Sequence, residues 1–220
     1  DGSGAKKITN YEYFTGDTSI FFNGIAWYES ENVIISKGSV QIISNPGVNG
    51  NYLVKIHPES GYVTAMYPLD FTEDFSLSGS KITWANGDTV FIHNLISKTT
   101  SHFVTNGENP KNPVLSPDGN RVAYIIERSY QYAQSGTWVT KYCTDIMTRN
   151  INGFDKRELT VNTIADDTKY KSSFYPFWLS NTELLYAAGK IYKLTDDVSP
   201  SATALTDVLF AGGQLQAGKK

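Results

Sequence analysis

The sequence predicts an all-β protein, a β-propeller of four-stranded antiparallel blades. Three observations lead there. Strand-forming residues dominate: the 220 residues include 14 Tyr, 11 Phe and 4 Trp beside abundant Val, Ile and Thr, types that fit a pleated, half-buried surface. Gly, Asn, Asp, Ser and Pro cut them into short runs, as tight turns require. And strand–turn–strand segments recur along the chain, the mark of a repeat architecture.

In order, the strand candidates are 32–36, 52–56, 81–84, 90–95, 121–126, 138–142, 184–187 and 191–194. Asn86-Gly87, Asn106-Gly107 and Asn152-Gly153 supply turns. Phe75-Ser76-Leu77-Ser78-Gly79-Ser80-Lys81-Ile82-Thr83-Trp84 lies over Leu115-Ser116-Pro117-Asp118-Gly119-Asn120-Arg121-Val122-Ala123-Tyr124 without a gap. Trp27-Tyr28-Glu29-Ser30-Glu31-Asn32-Val33-Ile34-Ile35 lies in the same way over Trp178-Leu179-Ser180-Asn181-Thr182-Glu183-Leu184-Leu185-Tyr186. The stretches that follow repeat too. Residues 52–56, 90–95, 146–151 and 191–194 read as third strands. Phe103-Val104-Thr105, Glu158-Leu159-Thr160 and Ala204-Leu205-Thr206 read as last strands, with 63–67 in that place in the first repeat. The blades therefore run over about 18–68, 69–108, 109–163 and 170–208. A twisted four-stranded sheet has two apolar faces and buries neither alone; packing blade on blade around an axis buries both.

Leu115-Ser116-Pro117-Asp118-Gly119-Asn120-Arg121-Val122-Ala123-Tyr124, followed by Asp145-Ile146-Met147-Thr148-Arg149-Asn150-Ile151-Asn152-Gly153 and Glu158-Leu159-Thr160, resembles the repeat of TolB-type β-propellers. The same repeat occurs in the propeller domains of prolyl-oligopeptidase-like enzymes. Residues 113–160 carry the pattern nearly whole; the second and fourth repeats keep its spacing but lose Pro-Asp, and the first keeps only the hydrophobic frame. The resemblance implies the fold and an extracytoplasmic setting, periplasmic, cell-surface or secreted. It implies no single function, because this scaffold hosts many. Pro-Asp-Gly at 117–119 reads as a turn, with proline presetting φ, aspartate capping and glycine supplying positive φ.

Asp1-Gly2-Ser3-Gly4-Ala5-Lys6-Lys7-Ile8-Thr9 aligns with Asn152-Gly153-Phe154-Asp155-Lys156-Arg157-Glu158-Leu159-Thr160. The chain thus opens inside a partial repeat, with a strand at 5–12. Either that strand closes the ring on the final blade, or further blades or domains belong to a longer parent chain. The second reading is preferred, because the fourth repeat has a last strand of its own. Residues 209–220 read as a tail.

Charge and motif exclude several classes. A net charge of −3 leaves no footprint for nucleic acid. The single cysteine, Cys143, forbids an internal disulfide and is assigned to a small buried hydrophobe. No apolar run approaches the roughly 18 residues of a membrane span. There is no Gly-x-Ser-x-Gly elbow and no phosphate loop or dinucleotide fingerprint, so no catalytic residue and no cofactor is assigned. His57, His93 and His102 read as surface or cross-strand residues rather than one metal site. Asp70, Glu73, Asp74, Asp166, Asp167, Asp196 and Asp197 read as solvated turn residues rather than calcium ligands. Trp27 and Trp178 are assigned to packing between blades.

One stretch stands apart. Residues 129–142 read Ser-Tyr-Gln-Tyr-Ala-Gln-Ser-Gly-Thr-Trp-Val-Thr-Lys-Tyr. Period two puts Tyr130 and Tyr132 on one face of an outgoing strand, and Trp138 and Tyr142 on one face of the returning strand, with Gly136 at the turn. Two readings stand. In one, cross-strand aromatic pairs stabilise a hairpin by roughly 0.2–1 kcal/mol each. In the other, Tyr130, Tyr132, Trp138 and Tyr142 bind a glycan or a partner protein. The expected function is a non-enzymatic binding or scaffold propeller that engages a protein or glycan outside the cytoplasm. The alternative is an accessory or gating propeller of a larger enzyme, a hydrolase or a polysaccharide lyase.

Overall fold

A computed structural model describes residues 18–42, 50–69, 75–162, 173–188 and 190–205. Its strands form four four-stranded antiparallel sheets, each with its strands in chain order. Sheet one holds β1 (Thr18–Tyr28), β2 (Val33–Ile42), β3 (Gly50–Ile56) and β4 (Val63–Leu69). Sheet two holds β5 (Ser76–Ser78), β6 (Lys81–Asn86), β7 (Thr89–Asn94) and β8 (Thr99–Val104). Sheet three holds β9 (Lys111–Leu115), β10 (Arg121–Gln134), β11 (Thr137–Asn150) and β12 (Arg157–Glu158). Sheet four holds β13 (Phe174–Trp178), β14 (Glu183–Ala187), β15 (Ile191–Thr195) and β16 (Ala202–Ala204). Every run named above overlaps a strand, with Asn32, Leu95, Thr105, Ile151, Leu159, Thr160 and Leu205 just beyond strand ends and Thr206 outside the described residues. The strand expected at 5–12 and the tail at 209–220 lie outside the described residues.

The chain divides into two compact units, Asp1–Phe75 and Ser76–Lys220. In the first, a 3-10 turn over Glu29–Glu31 joins β1 to β2 and ends on Asn32 at φ 53, a left-handed conformation that asparagine tolerates. Val33, Ile35, Leu53, Val54 and Ile56 are buried. Lys55 and Glu31 form an ion pair.

In the second unit, sheet three has an apolar core on each face. On one, Val122, Tyr124, Ile126, Met147 and Leu115 pack with Val90, Ile92 and Phe103 of sheet two. On the other, Ala123, Ile146 and Leu159 pack with Trp178, Leu184, Tyr186 and Leu194 of sheet four. Alternation along β10 produces this division, even numbers to one side and odd to the other. Each Val, Leu or Ile so buried contributes about 1.5–3 kcal/mol.

Polar contacts fix the spacing. Ser78 donates to the Ser116 carbonyl and Lys81 to the Gly119 carbonyl, both at 2.9 Å. The Trp178 indole donates to the Val114 carbonyl at 3.0 Å, and the Asp118 amide donates to the Asn181 side chain at 3.0 Å. The turn at 117–119 is structural: Ser116 and the Asn120 amide donate to Asp118, and Gly119 sits at φ +66. Sheets three and four share one more device. Asn112 and Tyr175, each before a proline, have φ 48 and 55 and lie beside register shifts of the first strand, as β-bulges do.

The gap-free alignments hold on the second strands and slip on the first. Ser78 pairs with Lys81 across a two-residue turn, whereas Ser116 bonds to Arg121 across the longer Pro-Asp-Gly-Asn turn. That slip is by two residues and keeps every face. Between sheets one and four it is by one. Trp27 pairs with Ile34, but Trp178 pairs with Leu184. A one-residue slip exchanges the faces. Tyr28 therefore holds the buried place of Trp178, and Trp27 is 51 % exposed. The packing role assigned to both tryptophans belongs to Trp178 alone.

Candidate functional site

Among the described residues the longest pairing is β10 with β11, in unbroken register from Arg121 opposite Asn150 to Gln134 opposite Thr137. Ser135 and Gly136 close it with φ 51 and 81, the double positive φ of a type I′ turn, whose twist matches that of the strands. β9 pairs with β10 only as far as Ile125, and β12 pairs with β11 only at Met147 and Thr148. The outer part of the hairpin is therefore a two-stranded ribbon extending past the core sheet.

The register sorts the four candidate aromatics. Tyr130 lies opposite Lys141, Tyr132 opposite Val139, Trp138 opposite Ala133 and Tyr142 opposite Ser129. No aromatic faces another, so the cross-strand aromatic pairs are not formed. By register, position 132 has the parity of Tyr130, and Trp138 and Tyr142 share the opposite face of the ribbon. Trp138 is 71 % exposed and Tyr142 51 %; Tyr130 is half-buried.

The base of the ribbon on the Tyr130 side is polar and closed. Arg128 reaches Asp145 at 3.1 Å and also pairs with Glu158. Asp145, fully buried, accepts from the Asn162 amide at 2.7 Å, yet burial pushes its carboxyl above the usual range despite that bond. Cys143 is buried and donates to the Asn162 carbonyl at 3.1 Å. Burial, with the Asp145 charge behind it, pushes the thiol up, away from the thiolate that a nucleophile requires.

A second cluster joins sheets three and four. The Asp196 side chain is 1 % exposed, and its carboxylate meets Arg121 at 2.5 Å and Arg157 at 3.4 Å. Thr148 donates to it at 2.7 Å. Asp155 bridges both guanidinium groups at 2.6 and 2.7 Å. Bonding from Arg121, with support from Arg157, holds the Asp155 carboxyl below the usual carboxylate range against a small opposing effect of burial. Reading Asp196 as a solvated turn residue is corrected by this geometry. The structure sets Leu95, Ile151 and Asp196 in equivalent places, where each amide bonds to the residue before the second strand of its sheet, Ser80, Asn120 and Thr182. An acid in a column of aliphatic residues marks a buried charge.

The remaining candidates do not converge. His57 is exposed in the first unit. His93 is buried, its Nδ1 2.9 Å from the Thr100 hydroxyl, and burial lowers its pKa. His102 is exposed, its ring 5.8 Å from that of Phe91. Asp197 is exposed and accepts from the Val198 amide. Asp70, Glu73, Asp74, Asp166 and Asp167 lie outside the described residues. Among the described residues, no group of three or more His, Cys, Asp or Glu could hold a metal ion, and no helix is long and apolar enough to cross a membrane.

The sequence matches no family model and no curated protein. Among solved structures, dipeptidyl peptidase 4 of Porphyromonas gingivalis is similar at 10 % identity and a TM-score of 0.48, over 82 % of this chain and 32 % of that one. The chain thus spans about a third of the length of that protein.

Proposed function

We propose that the four sheets are blades of a β-propeller, and that the protein is a non-enzymatic, extracytoplasmic scaffold presenting the 129–142 arm to a protein or glycan partner. The repeat argument supports the propeller, together with four chain-ordered sheets and the two apolar faces of sheet three. The resemblance of 113–160 to TolB-type repeats supports the setting. One observation carries the binding role. A ribbon that extends the hairpin past the core holds an exposed tryptophan at its far end. A large apolar ring in water has no stabilising role there, and exposed aromatics of this kind anchor interfaces.

The test removes the arm. Arg128 and Cys143 are directly paired, so Asn-Gly in place of 129–142 leaves a two-residue hairpin. The shortened chain is expected to melt within a few degrees of the intact one and to lose its partner binding. Binding that survives the deletion sinks the proposal, and a chain that unfolds without the arm makes the ribbon a structural strut instead. Small-angle scattering tests the propeller: a compact disc is expected, and an elongated stack of sheets rules it out.

A further inference from the structure

The two faces of the arm differ in chemistry. On the Tyr130 side stand Arg128 and Lys141, with Val139 half-buried. On the other side stand Ser129, Gln131 and Ala133 opposite Tyr142, Thr140 and Trp138. All six are exposed and none is charged; the exposed Glu127, opposite Thr144, stands below them at the base of the same face. This face is a narrow strip with an aromatic residue near each end and hydroxyl and amide groups between. Trp138 and Tyr142 are four residues apart on one strand, about 13 Å at roughly 3.3 Å per residue.

We infer that this face binds a neutral polysaccharide, with Trp138 and Tyr142 stacking on the C–H faces of separate sugar rings and Gln131, Thr140 and Ser129 bonding to hydroxyl groups between them. The inference rests on the arm being a docking element. Two arguments select a neutral glycan. Area is one: five residue pairs at about 3.4 Å each, on two strands about 4.8 Å apart, make a face of roughly 17 by 10 Å. A standard protein interface buries about 800 Å² per partner, several times what the strip offers, whereas an extended sugar chain is matched to a narrow ribbon. Charge is the other. The exposed carboxylate of Glu127 at the base of this face would repel an acidic glycan, and the six uncharged residues above it leave a neutral chain no desolvated ion to oppose it.

Native gel electrophoresis through galactomannan, xyloglucan, laminarin or soluble starch tests this, with each variant's melting curve recorded. At least one of these neutral polysaccharides is expected to retard the protein. Trp138→Ala and Tyr142→Ala should each weaken retention about tenfold, and Tyr130→Ala and Lys141→Ala should change it less than about twofold. Retention by none of the four polysaccharides, or an equal loss in Tyr130→Ala, overturns the glycan inference. Light scattering separates it from the broader reading. A wild-type dimer dissolved by Trp138→Ala would overturn the glycan and keep the arm as a docking element. Retention and mass both indifferent to Trp138 would sink both.

Discussion

The two faces of sheet three meet their neighbours by different physics. Toward sheet two, the contact at the end of the third strand is aliphatic, with Ile151 packed on the core that includes Val90 and Phe103. Toward sheet four, the corresponding position is Asp196, clamped by Arg121 and Arg157. The first interface relies on fit: a Cβ on Gly153 would stand 2.7 Å from that of Phe103. The second relies on charge compensation. A buried ion pair is no more stabilising than a well-packed apolar contact of the same volume, but removing one partner is severe. The apolar interface should be sensitive to volume, and the ionic one to the loss of a single charge.

The largest effect is expected from Asp196→Ala, which leaves Arg121 and Arg157 facing each other without the carboxylate. Asp155 still bridges both guanidinium groups, so the loss, read by urea unfolding, should reach at most about 3–5 kcal/mol, that of an uncompensated buried charge. Combining Asp196→Leu with Arg121→Met and Arg157→Leu converts this interface to the other kind and should recover most of that loss. A triple variant as weak as Asp196→Ala would break the comparison. Next comes Gly153→Ala, at about 1–3 kcal/mol, since it overfills a packed contact at φ +83. Phe103→Leu keeps the Cβ and Cγ that the new methyl meets, so it should give little relief, and a full rescue would place the cost in the aromatic ring instead. Trp178→Phe should cost about 1–2 kcal/mol, because the half-buried Val114 carbonyl loses its donor.

Acid should weaken both interfaces. Burial pushes Glu108 upward, but bonds from Lys156 and Tyr124 and the Arg149 charge outweigh it, so its carboxyl ends below the usual range. Asp155 also lies low. A folded value below the unfolded one, about 3.9 for Asp and 4.3 for Glu, means that the stability is fully present above the unfolded value. It is lost as pH falls through the folded value. Unfolding free energy measured from pH 6 to 2 should decline below about pH 4. Glu108→Gln and Asp155→Asn should each flatten that limb, and an unchanged slope in both removes these groups from the account.

Much of this frame was legible in the sequence, because β-structure writes itself locally. The alternating run 81–84 and the continuous apolar run 121–126 both lie between turn residues, and their strands follow. Register was less legible. Trp27 and Trp178 align letter for letter, yet the turns beside them differ by one residue in pairing, and side chains on a strand have period two. The arm shows the same limit: each tyrosine and tryptophan pair was assignable to a common face of its own strand, but which pairs face together depends on the turn at Ser135-Gly136. The Asp196 cluster needed three-dimensional information, since its partners come from strands far apart in sequence.

Every sheet uses strands that are neighbours along the chain, and that order bears on how the protein forms. Closing a short turn takes little loop entropy, so each sheet can assemble without waiting for distant segments. A ribosome releasing this chain would free the sheets one after another, with the 14-residue strands β10 and β11 able to zip from Ser135-Gly136 inward once their tip is out. Sheet three would then be the template on which sheet four condenses, and its charged flank, Arg121 above all, would wait without its carboxylate until Asp196 emerges.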